Sequence, residues 1–599
     1  MVELIYPVIV AFWQEESSPK QWNEGLISNI WKGKGDMEKM ENQRGITVSS
    51  SVGTIPEEIL NNRLIKTIKF TPAQAGGRRG GSTTDHIFIL KSLIAIAIKR
   101  GIELIVTYYD ISKAYDRASM DDMLYVAHQE GFTGKVWRLT KAQNENLTAK
   151  IKTKAGLTRE IQREKGGKQG GKLMVPLFSK MMDTLPEALS DDPRLGIIVK
   201  NLKLNCLLYV DDALTLAIGY PQQECTLKAV HEFAVKRQLE WGESKCKVME
   251  IGGHVEVKDS WRLGEKTIEK CKNYKYLGET ISRDGKEHDN LTERVKKVKC
   301  TVTAIMTCSK SEIMKRIETK VLMKLHETVT IPTFLSNSET WVLSNQEKKE
   351  ADKTEIWAWK QMLGLPLTTP NPAVIFATGS LYASIRIDIR RLIYLHKLLQ
   401  KEVGHWATEM LTIMKENGIG WAKGIMELLE SWDLEKDWSL IARKTKSEWK
   451  NEVEQAAESM NTKKLRSECH IKERGSTKAK TKTRSIIQKI DMPDYKRKPL
   501  EILNYGSVLV ARALIMGRYG MLQCKANFSN GYAEKNCEVC RKLDNESHRI
   551  NECIVYQNIN LCDSDGLLDY ELIYSDNLVE VMKVLRTVLG SGPEGDDVL

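Results

Sequence analysis

Long hydrophobic runs are missing from this 599-residue chain: its longest apolar stretches fall well short of the roughly 18 residues that cross a bilayer, so no membrane-spanning segment is expected. The opening MVELIYPVIVAFW is apolar, but Glu3 stands where a secretory leader carries basic residues and no small-residue cleavage site follows. No signal peptide is expected. Cysteine is sparse, at 12 residues, most of them isolated, which excludes a disulfide framework of the secreted kind. An intracellular location, nucleus or cytoplasm, is the expectation. Internal repeats at solenoid periods are also absent.

What remains has a globular composition, 41% hydrophobic and 28% charged, long enough for roughly four folded units. The net charge of +11 is unevenly spread. Between Thr462 and Lys498 thirteen Lys/Arg face four acids, whereas Asp563 to Leu599 holds nine acids against Lys583 and Arg586. A basic stretch before an acidic tail fits either a polyanion partner or a solvated linker.

Up to about residue 285 short β-type runs alternate with amphipathic helices, and from there to about 460 the pattern is largely helical. Ile87–Arg100 (IFILKSLIAIAIKR) is expected to be a buried helix, apolar nearly all round with basic residues at its end. Leu104–Tyr109 (LIVTYY) predicts a buried strand ending at Asp110. Leu204–Ile218 holds two apolar runs around two acids and predicts a hairpin with Asp211-Asp212 at its turn. Cys246–Ile251 and Tyr274–Ile281 are expected as further strands, and Leu322–Thr330 and Ile385–Leu399 as helices. Thr477–Thr483 is the most linker-like stretch.

The chemistry is expected where apolar strands end in carboxylates. A sheet placing Asp110 beside Asp211 and Asp212 would gather three on one surface, a donor set suited to Mg²⁺, and two such ions can drive in-line phosphoryl transfer. Other Asp-Asp pairs occur at Asp121, Asp191 and Asp596, but only Asp211-Asp212 is flanked by β-type runs on both sides. Burying two adjacent acids there without a cation is costly, which favours a metal role over a structural one. Farther on, Cys537, Cys540, His548 and Cys553 have the form C-x2-C-x7-H-x4-C, three thiolates and an imidazole that suit a tetrahedral structural Zn²⁺.

Asp110-Ile-Ser-Lys-Ala-Tyr115-Asp116, followed 101 residues after Asp110 by Tyr209-Val-Asp211-Asp212, resembles the palm of a reverse transcriptase of the non-LTR retrotransposon type. Pro19-Lys-Gln-Trp22, Ile30-Trp-Lys32-Gly-Lys-Gly35-Asp36 and Asn42-Gln-Arg44-Gly45-Ile46 resemble its fingers. Gln74-Ala-Gly76-Gly-Arg78 to Asp85 resembles the next block, Gly166-Gly-Lys168-Gln169-Gly170 the template- and nucleotide-contacting block, and Lys245 the palm lysine. Tyr276-Leu277-Gly278 is similar to the primer-grip neighbourhood, and Glu339-Thr-Trp341 with Leu363-Gly364-Leu-Pro366 to the thumb. The blocks run collinearly over about residues 19–400. CCHC segments similar to the one here follow the thumb in such enzymes.

The resemblance implies an α+β right-hand polymerase that copies an RNA template from a DNA primer with dNTPs. It implies fingers and palm over 1–285 with an antiparallel palm sheet, a helical thumb over 286–400, and a helical connection over 401–500 containing the basic segment 462–498. A zinc region over 501–562 and an acidic tail over 563–599 would follow. Asp110, Asp211 and Asp212 would hold two Mg²⁺, with Mn²⁺ able to substitute, and Lys245 would protonate pyrophosphate. Tyr115 would stack under the sugar and exclude a 2′-hydroxyl. Arg78 and Lys168 would pair with the triphosphate, and Gln169 would hydrogen-bond near the templating pair. Plain alternatives exist: the three cations solvated, Tyr115 a core aromatic. Gly77 stands where the family commonly has an aromatic, and Lys172-Leu-Met-Val175 where it commonly has Pro-Leu-Ser-Pro, changes that bear on template handling more than on metal binding. The chain opens in the fingers and 46 residues follow Cys553, so no endonuclease is expected in it. The alternative function is a catalytically idle nucleic-acid-binding remnant of such an element.

Overall fold

The computed structural model describes residues 2–475, except 34, 164, 169, 201, 243–244, 253–259, 309–318 and 403, together with 486, 487, 490, 497 and 515. The described residues form two compact units, those of Met1–Lys286 with Lys401–Gly424, and those of Glu287–Gln400 with the described residues from Ile425 onward. Lys401–Gly424, grouped by sequence with the connection, thus folds with the first unit.

The predicted buried helix runs from Thr83 to Arg100, and eleven of its residues from Asp85 to Ala97 are buried. It stops where Gly101, at φ 65°, donates its N–H to the carbonyls of Ala97 and Ile98, the left-handed cap that glycine adopts without steric cost. Strand β3 (Leu104–Tyr109) follows, buried on both faces as its continuous apolar run predicts.

β3 lies inside a six-stranded sheet with β9 (Cys206–Tyr209), β10 (Asp212–Ile218), β11 (Lys247–Ile251), β12 (Ser260–Leu263) and β13 (Lys266–Lys270), in the order β12-β13-β11-β3-β10-β9. β10 and β11 both pair antiparallel with β3. Ile105, Val106, Leu214, Leu216 and Val248 have no exposed surface, and each such side chain contributes about 1.5–3 kcal/mol by leaving water. A second sheet joins β1 (Glu24–Trp31), β2 (Gln43–Val48), β4 (Thr148–Thr153), β5 (Gly156–Leu157) and β6 (Ile161–Gln162). Two hairpins complete the strands among the described residues: β7 (Ile197–Val199) with β8 (Leu202–Leu204), and β14 (Asn273–Tyr276) with β15 (Glu279–Ser282).

The last hairpin corrects the expectation of one strand over Tyr274–Ile281. Leu277 and Gly278 both take positive φ, 46° and 82°, which makes a tight two-residue turn inside what reads as one β run.

In the second unit Leu322–Thr330 is only partly α-helical: Thr319–Leu325 gives way to a π turn at His326–Thr330. The core there gathers Trp341, Phe334, Leu335, Ala358 and Met362. The helix Lys446–Gly475 takes up the start of the basic segment. Lys464 is paired within the fold: its ammonium binds Asp352 and the Ser384 hydroxyl and sits 4.6 Å over the Tyr382 ring. Arg497 is likewise paired with Glu458. The architecture is mixed α and β, as expected. The expected zinc region with Cys537, Cys540, His548 and Cys553, and the acidic tail, lie outside the described residues. No helix among the described residues is long and apolar enough to cross a membrane.

Candidate active site

Register in the six-stranded sheet assembles the carboxylates. Tyr109 on β3 faces Ala213 on β10, so one step further Asp110 comes next to Asp212. Asp212 pairs with Tyr209 across the hairpin, leaving Val210 and Asp211 as a two-residue turn. Val210 has φ 60°, a conformation that this turn position usually reserves for glycine and that a β-branched residue adopts only under constraint.

The electrostatics follow from this proximity. Burial, then the charges of Asp211 and Asp110, push the Asp212 carboxyl up to about 6, although its surface still reaches solvent. Asp211 is also raised, by burial first and by Asp110, against the lowering effect of Lys245 and Arg44. Lys245 reaches both oxygens of Asp110, at 2.9 and 2.8 Å. Among the described residues no three His, Cys, Asp or Glu side chains stand close enough to hold an ion as they are arranged. Hard oxygen donors that repel one another nevertheless fit a divalent cation in kind, once Lys245 releases Asp110.

Tyr115 stands beside this cluster. Burial and the charge of Asp211 push its phenol up to about 12, and its ring leans on Phe178 at 5.4 Å. Gly166 and Gly167 pack straight onto the backbone around it. Gly167 donates its N–H to the Tyr115 carbonyl at 3.2 Å, and a Cβ on Gly166 would lie 2.5 Å from that same oxygen. The glycines of the block therefore seat the tyrosine, a close approach only glycine allows.

The other expected site residues are placed differently. Arg78 is half-buried and donates to the Thr71 carbonyl at 3.2 Å. Lys168 is only 8% exposed and donates to the Trp22 carbonyl at 2.8 Å. Burial lowers its pKa, partly offset by Glu57. In this arrangement the Lys168 ammonium, like the Arg78 guanidinium, is engaged by a backbone carbonyl. Gln169 lies outside the described residues.

The sequence reading missed three participants. Arg44, exposed on β2 opposite Ile30, is the cation whose charge reaches Asp211 from the second sheet. Tyr274 stacks on Tyr108 at 4.0 Å and donates its hydroxyl to the Lys245 carbonyl at 3.2 Å, tying the β14–β15 hairpin to Lys245. Gln74 contacts the turn itself. Arg44 and Gln74 both stood in blocks already noted; pairing across 136 residues, as for Gln74 with Val210, leaves no local signal.

The reverse transcriptase (RNA-dependent DNA polymerase) family matches residues 32–281. The Pol polyprotein from type-1 retrotransposable element R2 of Popillia japonica is 24% identical over 362 residues, 59% of this chain and 49% of that protein. The transposon TX1 149 kDa protein of Xenopus laevis is 22% identical over 245 residues, 40% of this chain and 18% of the other. The chain thus spans about half of the first relative and less than a fifth of the second. Among solved structures, apo telomerase from Candida tropicalis overlaps at a TM-score of 0.30 with 15% identity, covering 45% of this chain and 55% of that one, too loosely to match residues. Residues 32–281 are therefore a reverse transcriptase domain, and the relatives of this chain are proteins of non-LTR retrotransposons.

Proposed function

We propose that this chain extends a DNA primer on an RNA template by nucleotidyl transfer at Asp110, Asp211 and Asp212. The observation that carries the reading is the β3–β10 register, which brings Asp110 level with Asp212 inside the matched domain. These three carboxylates would hold Mg²⁺ or Mn²⁺, which when bound activates the primer 3′-hydroxyl and steadies the departing pyrophosphate.

The chain's own groups do the rest. Tyr115 offers a flat wall under the sugar of the incoming dNTP, and its neighbour Phe178 keeps that wall upright. Arg44 and Arg78 supply positive charge for the triphosphate. Lys245, held at Asp110 before reaction, carries a proton at Nζ that it can give to pyrophosphate. In this reading residues 1–285 are fingers and palm and 286–400 the thumb. Cys537, Cys540, His548 and Cys553 would bind a structural Zn²⁺.

The test is primer extension on an RNA template with purified protein and Mg²⁺, wild type beside Asp211→Asn. Loss of extension in the variant with RNA binding retained is expected, because the change removes a metal donor and not a phosphate contact. Extension near the wild-type rate in Asp211→Asn would refute the assignment. A wild type that binds RNA yet never extends would instead mark an idle remnant.

A further inference from the structure

The turn that carries Asp211 is held by a residue outside the sheet. Gln74 has no exposed surface. Its Oε1 accepts two backbone N–H groups, from Gly76 at 2.8 Å and from Val210 at 3.2 Å, while its Nε2 donates to the Ser179 carbonyl at 3.2 Å. The backbone around it lies along the outer edge of β9: Leu208 donates to Ala73 at 2.8 Å and Ala75 donates to Leu208 at 2.9 Å. Gly76 then passes so near the turn that a Cβ there would sit 2.4 Å from the Val210 nitrogen.

Two facts give this contact consequence. Val210 is β-branched at φ 60°, so left to itself the turn would relax toward negative φ and swing Asp211 with it. And the helix Met174–Met182 that receives the Gln74 amide also carries Phe178, on which Tyr115 leans. One side chain thus joins the carboxylate turn to the support of the proposed sugar wall.

We infer that Gln74 is a positioning residue for nucleotidyl transfer: by accepting the Val210 N–H it holds the strained turn, and so fixes where Asp211 and Asp212 stand. The inference rests on the proposed polymerase activity for its kinetic consequence, but not for the clamp itself.

The test measures both. In Gln74→Met, which keeps the length and loses the acceptor, hydrogen exchange of the Tyr209–Asp212 amides should rise about tenfold or more, as befits a lost buried acceptor. The kcat for primer extension should fall about tenfold or more, while dNTP KM and RNA affinity stay within about twofold, since the defect lies in the reacting geometry and not in ground-state binding. Introducing Gln74→Met into a Val210→Gly background should cost much less, because glycine holds the positive φ without help. Gly76→Ala, which presses on the same nitrogen from outside, provides a second perturbation with the same kinetic signature should Gln74→Met fail to fold. Unchanged exchange at the turn, or an equal loss in both backgrounds, overturns the inference. If the wild type shows no extension, the polymerase reading fails alone, and the exchange experiment still decides the clamp.

Discussion

Putting a side chain on Gly77 should destabilise the first unit, and the loss should be repairable from a known direction. Gly77 has φ 70°, which costs an L-residue about 1–2 kcal/mol. A Cβ there would lie 2.3 Å from the Ser179 hydroxyl and 2.8 Å from the Ser179 Cβ, in a helix whose facing side is fully buried, and such overpacking costs about 1–3 kcal/mol. Gly77→Ala should therefore lose about 2–5 kcal/mol, a fall in the melting temperature of roughly 4–10 °C. The Ser179 hydroxyl is buried with no hydrogen-bond partner among the described residues, so Ser179→Ala alone should be neutral or stabilising by about 1 kcal/mol. In the double variant the nearer clash is gone and the farther one stays, so about 1–2 kcal/mol of the Gly77→Ala loss should return as coupling energy. Calorimetric unfolding of the four proteins of this cycle is the assay. A Gly77→Ala variant that melts within about 1 °C of wild type, or strictly additive effects, would refute the packing argument. Gly77 is thus the position where the resemblance leads one to expect an aromatic and where the chain passes directly over Ser179.

Three further outcomes are expected. Tyr115→Ala should relax discrimination against ribonucleotides in primer extension, whereas unchanged ribonucleotide incorporation would reject its role as the wall under the sugar. His86, buried beside Asp85, Arg78 and His405, has its pKa lowered to about 3, chiefly by burial. Unfolded chains protonate it below about 6.5 and the folded chain does not, so stability should fall as pH drops through this window, by about 2 kcal/mol between pH 7 and pH 5; a His86→Asn variant with the same pH slope would show that the loss arises elsewhere. Purified protein should carry about one zinc and Cys540→Ser should lose it, since small zinc sites draw on the order of 10 kcal/mol of folding free energy from the metal; elemental analysis finding none in wild type rejects the site.

Sequence patterns located the parts of this molecule whose signals are local. β3 and the hairpin read correctly because apolar β runs ending in acids have few other uses, although the turn is Val210-Asp211 and not the expected Asp211-Asp212, since Asp212 already pairs with Tyr209; the Thr83–Arg100 helix read correctly because its apolar residues lie nearly all round. Where the outcome hangs on a distant partner, the signal vanishes. Lys168 looks like any basic residue in a glycine-rich loop until Trp22, 146 residues away, takes its ammonium. Lys464 counts as one more charge in a basic run until Asp352, 112 residues earlier, binds it. The β14–β15 turn was missed for another reason: Leu277 is an apolar residue at positive φ, and the pattern of apolar residues does not report φ.

The seam between Ala73–Ala75 and β9 also bears on the open edge of the sheet. β9 ends its sheet, and Cys206, Leu207 and Leu208 make it short, apolar and well suited to recruit a strand from another molecule. The hydrogen bonds between Leu208 and the 73–75 backbone occupy that open side with the chain's own segment. At the opposite end β12 is four residues long and displays Arg262, a charged edge of the kind that discourages pairing. The strip at residues 73–75 thus takes up hydrogen-bonding groups that an added strand would otherwise meet, and a chain in which it peeled away would bare an apolar β edge next to the turn that carries Asp211.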